Sequence, residues 1–189
     1  YLNRARTYTK LNQFGKAIAD YTAYLKKNNL DTDIYLEKAA VYERINDAVN
    51  AIKTTREAVE TDKNNPNAMY QLGRYYFMKH EFDSAIVWLT KAQNSPSIGN
   101  SAKAGIYHIM GNYYYFHKDY TKAIEQYNLS LSVSGRYMNA LINLAITYRT
   151  INDYQKELEI IDRIIKLDGN NDINWQMRGI CHINLKKYQ

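Results

Sequence analysis

The 189-residue chain has one cysteine, two prolines and eight glycines. The lone thiol, Cys181, excludes an internal disulfide and a multi-cysteine zinc site. The scarcity of glycine and proline excludes collagen-like and low-complexity chains and leaves few helix breakers. No apolar stretch approaches the roughly 20 residues a membrane helix needs, so this segment does not span a bilayer. Catalytic signatures are missing too: there is no GxSxG elbow, no phosphate loop and no HExxH pair. His80, His108, His117 and His182 show no ligand spacing, so the sequence assigns no metal, cofactor or catalytic residue, and an enzymatic role for this segment is not expected. A formal charge of +6 raises nucleic-acid binding as a reading. Yet the densest basic runs are pairs, Lys26-Lys27 and Lys186-Lys187, and a solvated basic surface accounts for them.

What the chain has in excess is tyrosine, 19 residues, and asparagine, 20. Much of this falls into an internal period. Ala5, Ala39, Gly73, Gly111, Ala145 and Gly179 are separated by 34, 34, 38, 34 and 34 residues. Three residues after each stand Tyr8, Tyr42, Tyr76, Tyr114, Tyr148 and then His182. Twelve after each, where the chain continues, stand Ala17, Ala51, Ala85, Ala123 and Glu157. Three before those come Phe14, Ala48, Phe82, Tyr120 and Tyr154, with Tyr188 in the last unit. The long interval fits a four-residue insertion around Ser95 to Ser101. Within a unit, Tyr70, Gly73, Tyr76 and Phe77 form one helical stripe, and Phe82, Ala85, Ile86, Leu89 and Ala92 form a second. The polar breaks between stripes, Asn12-Gln13, Asn46-Asp47, Lys118-Asp119 and Asn152-Asp153, predict tight links between antiparallel helices, with Asn and Asp capping the helix starts. The framed tyrosines, Cys181 and His182 read as packing residues.

This pattern resembles the tetratricopeptide repeat, a 34-residue helix–turn–helix unit. Leu72-Gly73, Tyr76, Phe82, Ala85 and Ala92 carry the resemblance best, followed by Tyr107, Gly111, Tyr114, Tyr120, Ala123 and Tyr127, while Trp175 before Gly179 matches the family's tryptophan. The family's proline at the unit end is replaced by Asn29, Lys63, Ser97, Gly135 and Gly169, and Glu157 occupies a usually buried alanine position. The second unit departs furthest, with Ala48 for an aromatic and Lys38 at a leucine position. The resemblance implies an all-α fold, a right-handed α-solenoid of stacked helix–turn–helix repeats over 1–31, 32–65, 66–103, 104–137, 138–171 and a partial 172–189, forming a single solenoid. The chain opens at Tyr1 and stops inside the sixth unit, so it reads as a piece of a longer protein, and its compartment stays open, with the cytoplasm slightly favoured.

In this family the first helix of each repeat lines the concave side. Projecting those helices gives a candidate contact set of Arg6, Tyr70, Arg74, Phe77, His108, Asn112, Tyr115, Asn143 and Arg149. Tyrosine and arginine combine buried area with directed hydrogen bonds, and asparagine amides pair with a peptide backbone. Tyr70 and Tyr115 have a packing alternative against the next repeat. The resemblance implies a protein-interaction module that binds a partner peptide or helix, with Arg6, Arg44, Arg74 and Arg149 favouring acidic groups and the tyrosines aromatic ones. Chaperone-binding members clamp a carboxylate with lysines, arginine and asparagines; here His108, Asn112 and Asn143 approach that pattern, but Ile173 and Met177 stand where cations are needed, so no such clamp is expected. Two other readings are a structural arm bound through its ends or convex face, with self-association through the ends, and nucleic-acid binding through a basic surface. Asn128-Leu129-Ser130 matches a glycosylation acceptor but falls mid-helix.

Overall fold

A computed structural model describes the backbone of residues 1–188 and side chains through Lys186; the side chains expected at Lys187 and Tyr188 lie outside the described residues. Among the described residues there are eleven helices and no strand: α1 (Leu2–Lys10), α2 (Phe14–Leu25), α3 (Thr32–Arg44), α4 (Ala48–Thr61), α5 (Pro66–Met78), α6 (Phe82–Gln93), α7 (Asn100–Phe116), α8 (Tyr120–Val133), α9 (Met138–Thr150), α10 (Tyr154–Leu167) and α11 (Asp172–Tyr188). The fold class is an all-α helical-repeat solenoid, built in two compact units that divide after Ile98. The first holds the hairpins α1/α2, α3/α4 and α5/α6; the second holds α7/α8, α9/α10 and α11. In each unit a first helix packs on its own second helix, and that second helix packs on the next hairpin. The insertion is absorbed as helix: α7 has 17 residues where α3, α5 and α9 have 13, about one extra turn.

One backbone device makes every hairpin. The link contains a residue in the left-handed region: Asn12 at φ 56°, Asn46 at 58°, His80 at 60°, Lys118 at 61° and Asn152 at 61°. Asparagine tolerates that region better than most side chains, which explains its recurrence here. The next residue's N–H then closes onto the carbonyl of the framed tyrosine: Gln13 on Tyr8, Asp47 on Tyr42, Glu81 on Tyr76, Asp119 on Tyr114 and Asp153 on Tyr148, at 2.8–3.0 Å. The capping expected of both residue types therefore divides. Asparagine supplies the reversal, while Asp47, Asp119 and Asp153 cap the second helix by accepting from Asn50 N–H at 3.0 Å and from Lys122 and Lys156 N–H at 3.2 Å.

The frame of small residues is the core. Ala5, Ala17, Ala51, Ala85, Ala123 and Ala145 are fully buried, as is Glu157 in the alanine position of the fifth repeat. A Cβ on Gly111 would meet the Tyr127 ring at 2.4 Å, and one on Gly73 would meet Leu89 at 2.7 Å, so these helices approach as closely as glycine allows. In the first unit two apolar clusters form, one around Tyr21, Leu25 and Ile34 and one around Leu72, Tyr75 and Tyr76, with Tyr35 packed against both. The second unit has its own cluster around Tyr127, Leu144, Ile161 and Cys181. The buried Ser130 hydroxyl donates to the Ala104 carbonyl at 2.8 Å, so the sequence Asn128-Leu129-Ser130 is a packing element.

Of the framed tyrosines Tyr76 is buried, and Tyr8, Tyr42, Tyr114 and Tyr148 are half-buried and packed against the apolar clusters. Each also carries a cation over its ring: Lys16, Lys38, Lys122 and Lys156 at 5.4–5.9 Å, with Arg56 at 5.6 Å over Tyr76. One packing expectation needs correction. His182 is exposed on α11. Cys181 is buried, donates to the Tyr154 carbonyl at 3.1 Å, and burial raises its thiol to about 11, which keeps it protonated and inert.

Gly111→Ala is expected to destabilise the protein by about 1–3 kcal/mol, because the Tyr127 ring has nowhere to retreat. Gly179→Ala, whose Cβ would meet nothing within 4 Å, is expected to be neutral or slightly stabilising through helix propensity. Thermal unfolding followed by circular dichroism separates the two.

Candidate functional site

The first helices carry polar side chains that reach from one repeat to the next at a separation of 31 residues. In the first unit, Arg6 donates to both oxygens of Glu37, at 2.9 and 2.6 Å, and the Tyr21 hydroxyl donates to the same carboxylate at 3.0 Å. Arg74 donates to both oxygens of Glu43 at 2.6 Å and to Gln71 at 2.8 Å, while lying 4.8 Å over the Tyr75 ring. The Arg6 and Arg74 guanidiniums hold the carboxyls of Glu37 and Glu43 below the usual carboxylate range. Arg44 donates to the Thr9 carbonyl at 3.1 Å and to Asn12 at 2.8 Å. Phe77 packs its ring 5.2 Å from Phe82, and Tyr70 is half-buried one turn before Arg74.

The second unit uses the same register with neutral groups. Asn112 Oδ1 accepts from the Tyr127 hydroxyl at 2.8 Å and from Asn143 Nδ2 at 2.7 Å. Asn143 Nδ2 also lies 3.0 Å from His108 Nε2. With the amide donating, the imidazole proton sits on Nδ1. The His108 ring lies between Tyr127 and Tyr137, at centroid distances of 6.1 and 5.5 Å. Burial pushes His108 down to about 4, so this position carries no cation at neutral pH, and a bound carboxylate would find none there. The Tyr115 hydroxyl shares a hydrogen bond with Thr150 at 3.1 Å.

Beside this network opens a recess of about 190 Å³, lined by Asn112, Tyr115, Phe116, Tyr127, Asn143 and Ile146. Its size suits one large side chain of a ligand. The network uses Asn112 Oδ1 and both Asn143 Nδ2 hydrogens. Asn112 Nδ2, a donor, and Asn143 Oδ1, an acceptor, carry no further hydrogen bond among the described residues. Of the sequence-derived set, the structure brings together His108, Asn112, Tyr115 and Asn143. Arg6, Tyr70, Arg74 and Phe77 belong to the first unit.

Arg149 turns elsewhere. Its Nε and Nη2 lie 2.6 Å from Oε1 of the buried Glu157, so it answers the one carboxylate placed in an alanine position. Phe116, Tyr127 and Ile146 complete the recess and stood outside that contact set. Tyr127 comes from the second helix, 16 residues after Gly111, where the third repeat has Leu89, and that substitution was its sequence signal. Among the described residues no group of three or more His, Cys, Asp or Glu side chains could hold a metal, and no helix is long and apolar enough to cross a membrane.

Two family models described as the tetratricopeptide repeat match residues 2–66 and 104–137, together about half the chain. A Drosophila melanogaster protein named as the homologue of the BBSome complex member BBS4 is 22% identical over 183 residues, 96% of this chain. The chain spans 37% of that relative's length. Among solved structures, that of the MamA protein superposes with a TM-score of 0.71 at 22% identity, covering 89% of this chain and 90% of that one. YrrB, described as a TPR protein with an unusual peptide-binding site, gives 0.66 at 18% identity, covering 95% and 90%. At these identities the likeness establishes the fold.

An unfolded histidine takes up its proton near pH 6.5, whereas folded His108 resists until about pH 4. The folded state therefore loses the His108 contribution as pH falls between those values. His108→Gln is expected to flatten that part of the pH–stability curve. A melting-temperature difference between wild type and variant that stays constant across this window would contradict the buried neutral imidazole.

Proposed function

Because the chain belongs to the tetratricopeptide-repeat family, whose members serve in general as non-catalytic protein-interaction scaffolds, we propose that its second unit seats a partner peptide or helix at the Asn112–Asn143 recess. The observation that carries this reading is the pairing of an apolar-walled recess with an unused amide donor and acceptor at its edge. Tyr115, Phe116 and Ile146 would cover one aromatic or large aliphatic side chain of the partner. Burying such a side chain contributes about 1.5–3 kcal/mol. Asn112 Nδ2 and Asn143 Oδ1 would pair with the carbonyl and N–H of the flanking peptide. The His108–Asn143–Asn112–Tyr127 hydrogen bonds fix both amides before the partner arrives, which lowers the ordering cost of binding.

The partner's recognised feature is apolar rather than acidic at this site. Arg6, Arg74 and Arg149, expected to draw acidic groups, each already lie against a carboxylate of this chain. A role inside a protein assembly is in keeping with the name of the fly relative, and peptide binding with that of YrrB.

Selection of a displayed random-peptide library on the chain should enrich sequences with one aromatic or large aliphatic residue. Phe116→Ala and Asn143→Ala should each weaken a selected peptide by about tenfold or more, as for residues central to an interface. Arg74→Glu should leave it unchanged. Equal binding to wild type and to the folded Phe116→Ala and Asn143→Ala variants would reject the site.

A further inference from the structure

A second recess lies in the first unit and shares no residue with the row of first-helix arginines. The outer stripe of α4 runs Val49, Lys53, Arg56 and Glu60, at spacings of four, three and four, and all four residues are exposed. Where this stripe faces the C-terminal end of α5, a recess of about 270 Å³ opens over Val49, Ile52 and Tyr76, rimmed by Lys53, Arg56, Lys79 and Glu81. Its floor is apolar, and Val49 is left 65% exposed. A lone exposed valine needs no explanation, but here it shares a recess with Lys53 and Arg56.

The charge at the rim is unbalanced. Lys79 and Glu81 neutralise one another at 3.0 Å. Arg56 donates through Nε at 2.8 Å, and through Nη2, to the Tyr76 hydroxyl. That contact fixes the guanidinium at the rim without giving it a counter-charge. Lys53 makes no ion pair among the described residues. Glu60, one turn further along the stripe, does not line the recess. Two uncompensated cations thus flank a hydrophobic floor. In the same unit Arg6 and Arg74 lie against carboxylates, whereas Lys53 and Arg56 do not.

We infer that this recess is a second interaction surface, and that its occupant is an acidic protein segment carrying one aliphatic side chain between carboxylates. The aliphatic group covers Val49 and Ile52, and the carboxylates meet Lys53 and Arg56. A nucleic acid is disfavoured by the arrangement, because phosphate tracking needs a run of cations rather than two around an apolar floor. A membrane surface calls for a broad apolar face with many basic residues, which α4 does not present.

The test uses the whole chain with isotope-labelled methyl groups. The probe is a synthetic peptide in which one leucine is flanked on both sides by aspartates. Controls replace leucine by glycine, or the aspartates by lysines. The acidic leucine peptide is expected to shift the Val49 and Ile52 methyl signals, and the controls are not. Lys53→Glu and Val49→Asp, both at exposed positions outside the packing, should weaken binding by about tenfold or more. Arg56 is left in place because it supports Tyr76. Asn112→Ala should have no effect; loss of peptide binding in that variant would assign the peptide to the other recess and overturn this inference. Unmoved Val49 and Ile52 signals would overturn it as well. So would shifts produced instead by an RNA duplex or by phosphatidylserine vesicles, with steep salt dependence.

Discussion

At Gly73 and Gly111 the second helix comes so near that any larger residue would collide with Leu89 or Tyr127. The same crossing recurs through Ala5 and Ala17, Ala39 and Ala51, and Ala123, all essentially unexposed. This close approach is what the other features depend on. It fixes the hairpin, and the hairpin fixes which face of each first helix remains available. It also sets the separation at which successive first helices touch. Side chains 31 residues apart then meet, as Arg6 does with Glu37, Glu43 with Arg74, and Asn112 with Asn143. Packing of small residues thereby sets the polar row along the first helices.

The tyrosine excess has a related origin. One tyrosine per repeat gives its carbonyl to the reversing turn and its ring to a cation. Asp119 and Asp153 add a third link: each caps the following helix and pairs with the lysine that lies over the tyrosine of the same repeat, at 3.0 and 2.9 Å. Turn, cap and ring contact form one local unit. Most of the aromatic content is spent on building the repeat. Tyr115, Phe116 and Tyr127 also line the recess beside Asn112 and Asn143.

The two units use one geometry for different chemistry. In the first, Arg6 and Arg74 form ion pairs between repeats, which neutralise two of the arginines that composition alone would offer to acidic ligands. In the second they are amide and imidazole contacts around a neutral His108. Glu157 shows how far the repeat tolerates a departure. A carboxylate in an alanine position stays buried because Arg149, eight residues earlier, reaches it. Removing a single partner of such a pair leaves a buried charge uncompensated, and that is costly.

The period of 34, the paired helices, the small-residue crossings and the turn positions were all legible in the sequence, because they follow from short-range spacing and backbone preference. His108, Asn112, Tyr115 and Asn143 could also be gathered that way, since they share one helical phase. Which polar group would meet which could not. Arg6 and Arg74 project from the correct face, but only the packing of neighbouring repeats brings Glu37 and Glu43 within reach of them. Phe116 and Tyr127 join the recess through the end of a helix and through the second helix, outside any single stripe. Periodicity in a chain determines which residues share a face. The distance between faces is set by how closely the helices pack, and that distance decides whether a charged side chain waits for a partner or already has one.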